Sequence, residues 1–162
     1  MRARKRCLGL TAVVLTAVVF AVLVTNRPAT ADFSDKSVAE LSKFVTSGAA
    51  VNLRLCALDA LRRKVSSAID DELVKIANGS DLRIAIYSTT SLGKRKTTTS
   101  KAKLLSLLAN TKVKKDVRMA AMTAVAVHFK NSGDLDTLYD EAKSDSDLKA
   151  HYLWLKSNVY GR

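Results

Sequence analysis

Apolar residues between positions 50 and 162 recur mainly at intervals of three and four, which is the period of an α-helix with one buried face. Two faces show this period best: Leu53, Ala57, Ala60 and Leu61 on one helix, and Val117, Ala121, Ala124 and Val125 on another. Extended alternation of strand type is missing from the sequence, and Pro28 is its one proline. The pattern predicts an all-α fold.

Four short triplets divide this region into repeating units. Each has a cap-type residue, an aliphatic residue and a cation: Asn52-Leu53-Arg54, Asp81-Leu82-Arg83, Asp116-Val117-Arg118 and Asp147-Leu148-Lys149. They recur at intervals of 29, 35 and 31 residues. We expect Asn or Asp to be the N-cap of the helix that follows, because its side-chain oxygen accepts from free amides of the first turn. The cations are expected to pair with acidic groups of adjoining units.

Each triplet helix is predicted to be followed by a polar break and a second, shorter helix. The breaks fall at 66–67, 97–100 and 131–134, and the second helices contain the apolar clusters at 73–77, 104–108 and 135–139. Asn78-Gly79 is a helix stop. Upstream, Ser37 and Glu40 have the spacing of a capping box and open a predicted capping helix at 37–47, which would cover one end of the stack.

The segment 116–125, DVRMAAMTAV, resembles the first helix of a HEAT-like repeat of the kind found in phycobilisome lyases and many bacterial scaffold proteins. Residues 53–61 are similar, and Leu92-Gly93 resembles the helix-ending Leu-Gly of that family, although it falls two residues late. The fourth unit departs from the pattern with Tyr152 and Leu155 in place of Ala. The resemblance covers about residues 50–162 and implies a short α-α superhelix of stacked hairpins. An ordinary helical bundle is the alternative.

The first 31 residues have a different character. Arg2, Arg4, Lys5 and Arg6 precede an uncharged apolar run at 8–24, and the small-residue sequence 29–31, ATA, follows. This order is typical of a secretory signal peptide. At ~1.5 Å per residue the apolar run is short for a hydrocarbon core of ~30 Å, so cleavage after Ala31 is favoured over a permanent membrane anchor. The predicted domain is then 32–162, exported to the periplasm or secreted, or tethered by an uncleaved segment.

Charge is distributed unevenly along the predicted domain. Removing the leader takes five of the 27 basic residues and none of the 15 acidic ones, which leaves a net charge of +7. From position 94 to 118, nine of 25 residues are basic and one is acidic, whereas 134–147 holds six acidic residues and one lysine. The candidate binding residues are the cations around the second hairpin turn: Lys94, Arg95, Lys96, Lys101 and Lys103. The alternative is a solvated, solubilising loop.

Candidates for chemistry have structural explanations in the sequence. His128 and His151 lie without Cys, Asp or Glu at zinc-motif spacing, so neither a metal nor another cofactor is expected. Cys56 is expected to be a small buried residue. The acidic run 70–72 opens a helix, where it complements the helix dipole.

These observations predict a noncatalytic, exported HEAT-like module that binds or scaffolds another protein with an acidic face. The alternative is adhesion to an anionic membrane or envelope polysaccharide through the same cations. The resemblance also implies a third class, a lyase or glycosylase, but the chain has few aromatic residues to line a chromophore pocket. Nucleic acid is not the expected partner, because export separates the chain from it.

Overall fold

The computed structural model of the protein describes residues 32–66, 68–131 and 133–161, so the predicted leader at 1–31 lies outside the described residues. Residues Asp32–Arg162 form one compact unit. The helices of the described ranges are α1 Val38–Val45, α2 Val51–Arg63, α3 Ala68–Ala77, α4 Leu82–Arg95, α5 Thr98–Ala109, α6 Lys115–Phe129, α7 Asp134–Ala142 and α8 Ser146–Leu155, and a π-helical turn follows at Lys156–Tyr160. These ranges contain no strand, which confirms the all-α class. Within the described ranges, none of the helices combines the length and the apolarity that crossing a membrane requires.

The helices lie in two rows. Helices α2, α4, α6 and α8 contact one another in chain order and form the first row, while α3 and α5 contact each other in a second row, to which the Lys101–Asp134 ion pair links α7. Two ion pairs join starting ends within the first row: Arg54 of α2 lies 2.8 Å from Asp81 before α4, and Lys115 of α6 lies 2.7 Å from Asp147 of α8. The first-row helices therefore begin at one common edge of the molecule and end at the other.

The core lies where the apolar faces of the rows meet. Its largest fully buried side chains are Leu41, Leu58, Leu61, Ile69, Leu73, Leu92, Leu104, Leu108, Met122, Leu138, Leu148 and Leu155. Burying a side chain of this size contributes roughly 1.5–3 kcal/mol. Buried alanines at positions 57, 121 and 124 lie on the helix faces that the apolar period predicts, and their small size lets neighbouring helices approach closely.

Helix starts differ from the prediction at three of the four triplets. Asp81 caps α4 as expected, since its side chain accepts from the amides of Arg83 and Ile84. Asn52, Asp116 and Asp147 instead lie inside the first turn of their helices. For α8 the cap is Asp145, whose carboxylate reaches the amides of Asp147 and Leu148. The two aspartates are two residues apart, and negative charge suits both places, so the pattern selected the wrong one.

The predicted break at 97–100 is mostly helix. Thr97 is the N-cap of α5, and Ser100 completes a capping box with it, so α5 already begins at Thr98. The hydroxyl groups that suggested a loop are used to start the helix. By contrast, α3 ends at Ala77 as the Asn78-Gly79 stop predicts, and the Gly79 amide donates to the Ile76 carbonyl over 3.0 Å.

The N-terminal helix α1 lies against both α2 and α3, at the beginning of the two rows. Both hydrogen bonds of the capping box are present, because the Ser37 amide donates to Glu40 and the Glu40 amide donates to the Ser37 hydroxyl. The helix ends at Val45, two residues before the predicted boundary. The Arg54 side chain donates to the Val45 carbonyl over 2.6 Å, which fastens the end of α1 to α2.

Candidate interaction surface

The five predicted binding cations surround the turn between α4 and α5, but the structure gives them different surroundings. Lys94 and Arg95 are the last residues of α4, Lys96 follows it, and Lys101 and Lys103 belong to α5. Helix α4 exposes Lys94 to solvent and turns Arg95 inward. One side of the turn therefore packs against the protein, and the other side is open to solvent.

Arg95 is a buried structural residue. Its side chain is 12% exposed and pairs through Nε with the Asp70 carboxylate, whose side chain is 3% exposed. Its other nitrogens donate to the carbonyls of Arg62, Lys64 and Ser66, over 2.9, 3.2 and 3.2 Å. One guanidinium thus satisfies carbonyl groups at and after the end of α2, which the helix itself leaves unpaired. Arg95 joins helices of the protein and has little surface to offer a partner.

Lys101 and Lys103 also have partners within the chain. The Lys101 ammonium lies 2.6 Å from Asp134 of α7 and 5.9 Å from the centre of the Phe129 ring. The Lys103 ammonium lies 2.7 Å from Asp71, which is largely exposed. An exposed pair of the second kind contributes little, about 0–1 kcal/mol, so Lys103 can exchange its partner at small cost. Lys101 is held more firmly because both it and Asp134 are mostly buried.

The acidic segment 134–147 meets the basic segment 94–118 within the same molecule. Lys101 pairs with Asp134, and Lys115 lies 3.4 Å from Asp145 and 2.7 Å from Asp147. Much of the uneven charge seen along the sequence is therefore neutralised when the chain folds. Fewer exposed cations lack a nearby carboxylate than the sequence suggests.

Lys94 and Lys96 are exposed, and neither has a carboxylate partner among the described residues. The Lys94 ammonium lies 5.7 Å from the centre of the Tyr87 ring on the same helix. Of the five candidates, these two are the ones whose charge is available to another molecule. The assignment of all five as a binding site stays a prediction, and the geometry favours Lys94 and Lys96 within it.

Sequence reasoning missed Lys130, which occupies the same place after α6 that Lys96 occupies after α4. Both are exposed, and both have left-handed backbone, with φ of 55° at Lys96 and 45° at Lys130. They are the only such non-glycine residues in the described ranges. Alignment of the repeats by their helix ends, instead of their starts, would have paired the two.

The left-handed conformation is energetically unfavourable for lysine at these positions. It costs a residue with a side chain roughly 1–2 kcal/mol, which glycine avoids. A cation at a helix end regains about 0.3–1 kcal/mol from the helix dipole. Because the cost is the larger of the two, the helix dipole does not account for lysine at both sites.

Gly93 brings the ends of α4 and α6 together. It lies inside α4, which continues to Arg95, so the expected helix-ending Leu-Gly is wrong here. A Cβ at this position would lie 2.5 Å from Cδ2 of His128 and 2.9 Å from Cβ of Ala124. The absence of a side chain is what allows α6 to approach.

His128 of α6 lies against Gly93 of α4, and the nearby lysines affect its pKa. Burial lowers the pKa of His128, and the positive charges of Lys94 and Lys96 lower it further. His151 differs, because its lowered pKa is due to burial without a lysine contribution. Its Nε2 lies 2.7 Å from the Thr123 hydroxyl. Of the two histidines, His128 is therefore the one whose pKa depends on the exposed lysines.

The other candidate groups have structural surroundings. Cys56 is half-buried on α2 and unpaired. Asp70 is engaged with Arg95, and Glu72 accepts from the Ser42 hydroxyl. The described residues hold no group of three or more metal-ligating side chains. A pocket of about 270 Å³ lies between α1 and α3, lined by Ala39, Ser42, Lys43, Thr46, Glu72, Lys75 and Ile76.

Comparison of the chain with family models, with curated proteins and with solved structures finds no match.

Proposed function

We propose that this protein is a noncatalytic, exported HEAT-like repeat module that binds another protein. The observation that carries the proposal is the pair of exposed lysines, Lys94 and Lys96, on a frame in which Arg95 and Lys101 are fixed by internal contacts. Rigid rows of helices bind partners by presenting an extended surface of fixed shape. The mechanism is complementarity of shape and charge.

Links between consecutive first-row helices support the repeat interpretation. At the starting edge, Arg54 of α2 reaches Asp81 before α4, the Lys114 ammonium donates to the Ser80 carbonyl over 2.6 Å, and Lys115 reaches Asp147 of α8. A cation thus joins each unit to its neighbour, but among the described residues the expected pairing of a triplet cation with an acidic group occurs only at Arg54. Arg118 instead donates to the Leu108 carbonyl over 2.7 Å. We interpret the two rows as a short α-α superhelix.

The contacts at the start of the compact unit are consistent with cleavage after Ala31. The unit begins at Asp32, the residue after the predicted cleavage site. Next to it, the ring of Phe33 lies 5.1 Å from that of Phe44, and the Lys64 ammonium donates to the Ser34 carbonyl. A chain cut after Ala31 would keep every one of these contacts. N-terminal sequencing of the protein from the secreted or envelope fraction tests this, with Asp32 as the expected first residue and an intact Met1 as the contradicting result.

The binding site proposed for the partner is centred on Lys94 and Lys96, with Lys103 as an additional contact. Lys101 and Arg95 support the site through Asp134 and Asp70 and do not face the partner. Affinity capture with the full-length chain from an envelope or secreted extract tests the function. At moderate salt we expect one stoichiometric protein with wild type, and its loss with Lys94→Glu/Lys96→Glu.

The matched control is Lys112→Glu/Lys149→Glu, which makes the same charge change at exposed lysines away from the turn. Helical content is measured for all three proteins. Equal capture by wild type and Lys94→Glu/Lys96→Glu would remove these residues from the site. Capture that vanishes with salt and yields lipid or polysaccharide would replace the protein partner by surface adhesion.

A further inference from the structure

Three exposed lysines lie at the ends of α4 and α6. Lys94 and Lys96 belong to the end of α4, Lys130 follows α6, and the close approach of Gly93 to His128 holds the two ends side by side. We call Lys94, Lys96 and Lys130 the basic edge. None of the three has a carboxylate within ion-pair distance in the part of the chain that the structure describes. Asp116, Asp145 and Asp147 of the same row belong to the opposite, starting edge, and Asp59 near the end of α2 pairs with Arg62 and Arg63.

An exposed apolar strip lies beside the basic edge. Thr123 of α6 contacts His151 of α8, and both helices run in the same direction. One turn further along each helix come Val127, which is 42% exposed, and Trp154, which is 55% exposed. The Trp154 ring stacks on His151 with a centroid distance of 6.1 Å, which holds it in place. The strip of Val127 and Trp154 therefore shares the outer face of the first row with the basic edge.

Backbone geometry indicates that the basic edge is kept for contact. Lys96 and Lys130 occupy equivalent left-handed positions that glycine would take more easily, and both side chains point to solvent. Left-handed residues commonly terminate helices, and strained residues also cluster at functional sites.

We propose that the basic edge and the apolar strip together bind an acidic, amphipathic segment of the partner protein. Carboxylates of the segment pair with Lys94, Lys96 and Lys130, and an apolar side chain rests against Val127 and Trp154. This rests on the proposed function and specifies the chemistry of its partner. A tryptophan beside cations provides the kind of anchor on which protein interfaces depend.

A protein segment fits this surface better than a membrane does. Attraction to anionic lipid depends on the number of cations near the surface, and three lysines with one tryptophan hold a membrane only weakly. It also gives no reason to fix two lysines at equivalent, strained backbone positions. A segment with carboxylates at set intervals does require cations at set positions.

A fluorescence anisotropy titration of the full-length protein tests the proposal. The probe is a short labelled peptide of glutamates around a central Leu-Leu pair, and a second probe has Ser-Ser in place of Leu-Leu. The variant Lys96→Asn/Lys130→Asn removes two charges with a residue that tolerates left-handed backbone, so the fold is preserved. The control variant Lys112→Asn/Lys149→Asn removes two exposed charges elsewhere.

We expect Lys96→Asn/Lys130→Asn to weaken binding of the Leu-Leu probe roughly tenfold and the control to weaken it less than twofold. The Ser-Ser probe should bind more weakly to wild type, and Trp154→Ser should abolish the difference between the probes. Equal losses with both lysine pairs, or no binding of either probe, would overturn the proposal. Vesicles containing phosphatidylglycerol that bind more tightly than the probe would assign the surface to lipid.

These results separate the two proposals. If no acidic probe binds but affinity capture still returns one stoichiometric protein, the binding function stands and the acidic segment is wrong. If capture also returns no protein, the binding function itself is contradicted.

Discussion

Arg95 and Lys96 are adjacent cations with opposite roles. On the inner side of the α4–α5 turn, Arg95 is nearly buried and bonds to Asp70 and to carbonyls that follow α2. On the outer side, Lys96 is exposed, strained and without a carboxylate partner in the described residues. The difference shows that a basic run is not one functional unit. One of its residues stabilises the fold, and the next costs stability and keeps its charge available.

The largest expected effect is on the inner side. Replacing Arg95 by Met leaves the buried Asp70 carboxylate without its cation and should lower the free energy of unfolding by about 3–5 kcal/mol. Lys96→Met should change it by less than about 0.5 kcal/mol, as for other surface substitutions. Chemical denaturation of both variants measures this. Similar losses in the two variants would contradict the division into an inner and an outer side.

Gly93→Ala should have the second largest effect, because the new Cβ meets His128 and Ala124. Forcing a methyl group into a packed contact typically costs about 1–3 kcal/mol. Gly48→Ala is the matched control, since a Cβ there meets nothing within 4 Å. Adding His128→Ser to Gly93→Ala should recover part of the loss in denaturation experiments. Without any recovery, the contact between the two helix ends would not be the cause.

On the outer side, glycine should stabilise the protein and weaken its binding. Lys96→Gly and Lys130→Gly each remove left-handed strain, and each should raise the free energy of unfolding by up to about 1 kcal/mol. Lys112→Gly, at a residue without positive φ, should lower it instead. Thermal unfolding gives the stability, and titration with the acidic Leu-Leu probe gives the affinity. A loss of stability at Lys96 and Lys130 would show that lysine is the favoured residue there for local reasons.

The smallest effect is electrostatic. Replacing Lys94 and Lys96 by Gln should raise the pKa of His128 and leave that of His151 unchanged, because only His128 is affected by these lysines. The folded-state pKa of His128 lies below the ordinary value of about 6.5, so the unfolded chain binds the proton first and stability falls as the pH drops below that value. In the variant this fall should be smaller. NMR titration of the ring protons distinguishes the two histidines, and equal shifts would contradict the assignment.

Much of the secondary structure could be predicted from the apolar period, because period and capping are local. Ser37 with Glu40, Asp81 and Asn78-Gly79 mark helix ends as expected. Local signals failed where two candidates compete, as Asp145 and Asp147 do for the start of α8. Thr97 and Ser100 show another limit, since the same hydroxyl groups suit a loop and a capping box.

The candidate site was predicted less well, since it depends on contacts between distant residues. Nothing near Arg95 in the sequence indicates that it will pair with Asp70. Nothing near Lys130 indicates that Gly93 will let the end of α6 approach the end of α4. The acidic segment 134–147 and the basic segment 94–118 are separate in the sequence, yet the first neutralises part of the second in the fold. Which charges remain available is a property of the packed helices.

Photo-crosslinking in the cell that makes the protein tests the central claim most directly. With benzoylphenylalanine in place of Val127, beside the basic edge, the full-length chain should crosslink to one protein that carries an acidic amphipathic segment. The same group in place of the exposed Ala109, at the end of α5 far from the turn, should give no such product. Crosslinks from Ala109 and none from Val127, or crosslinks from Val127 to lipid alone, would contradict the claim that this face binds a protein partner.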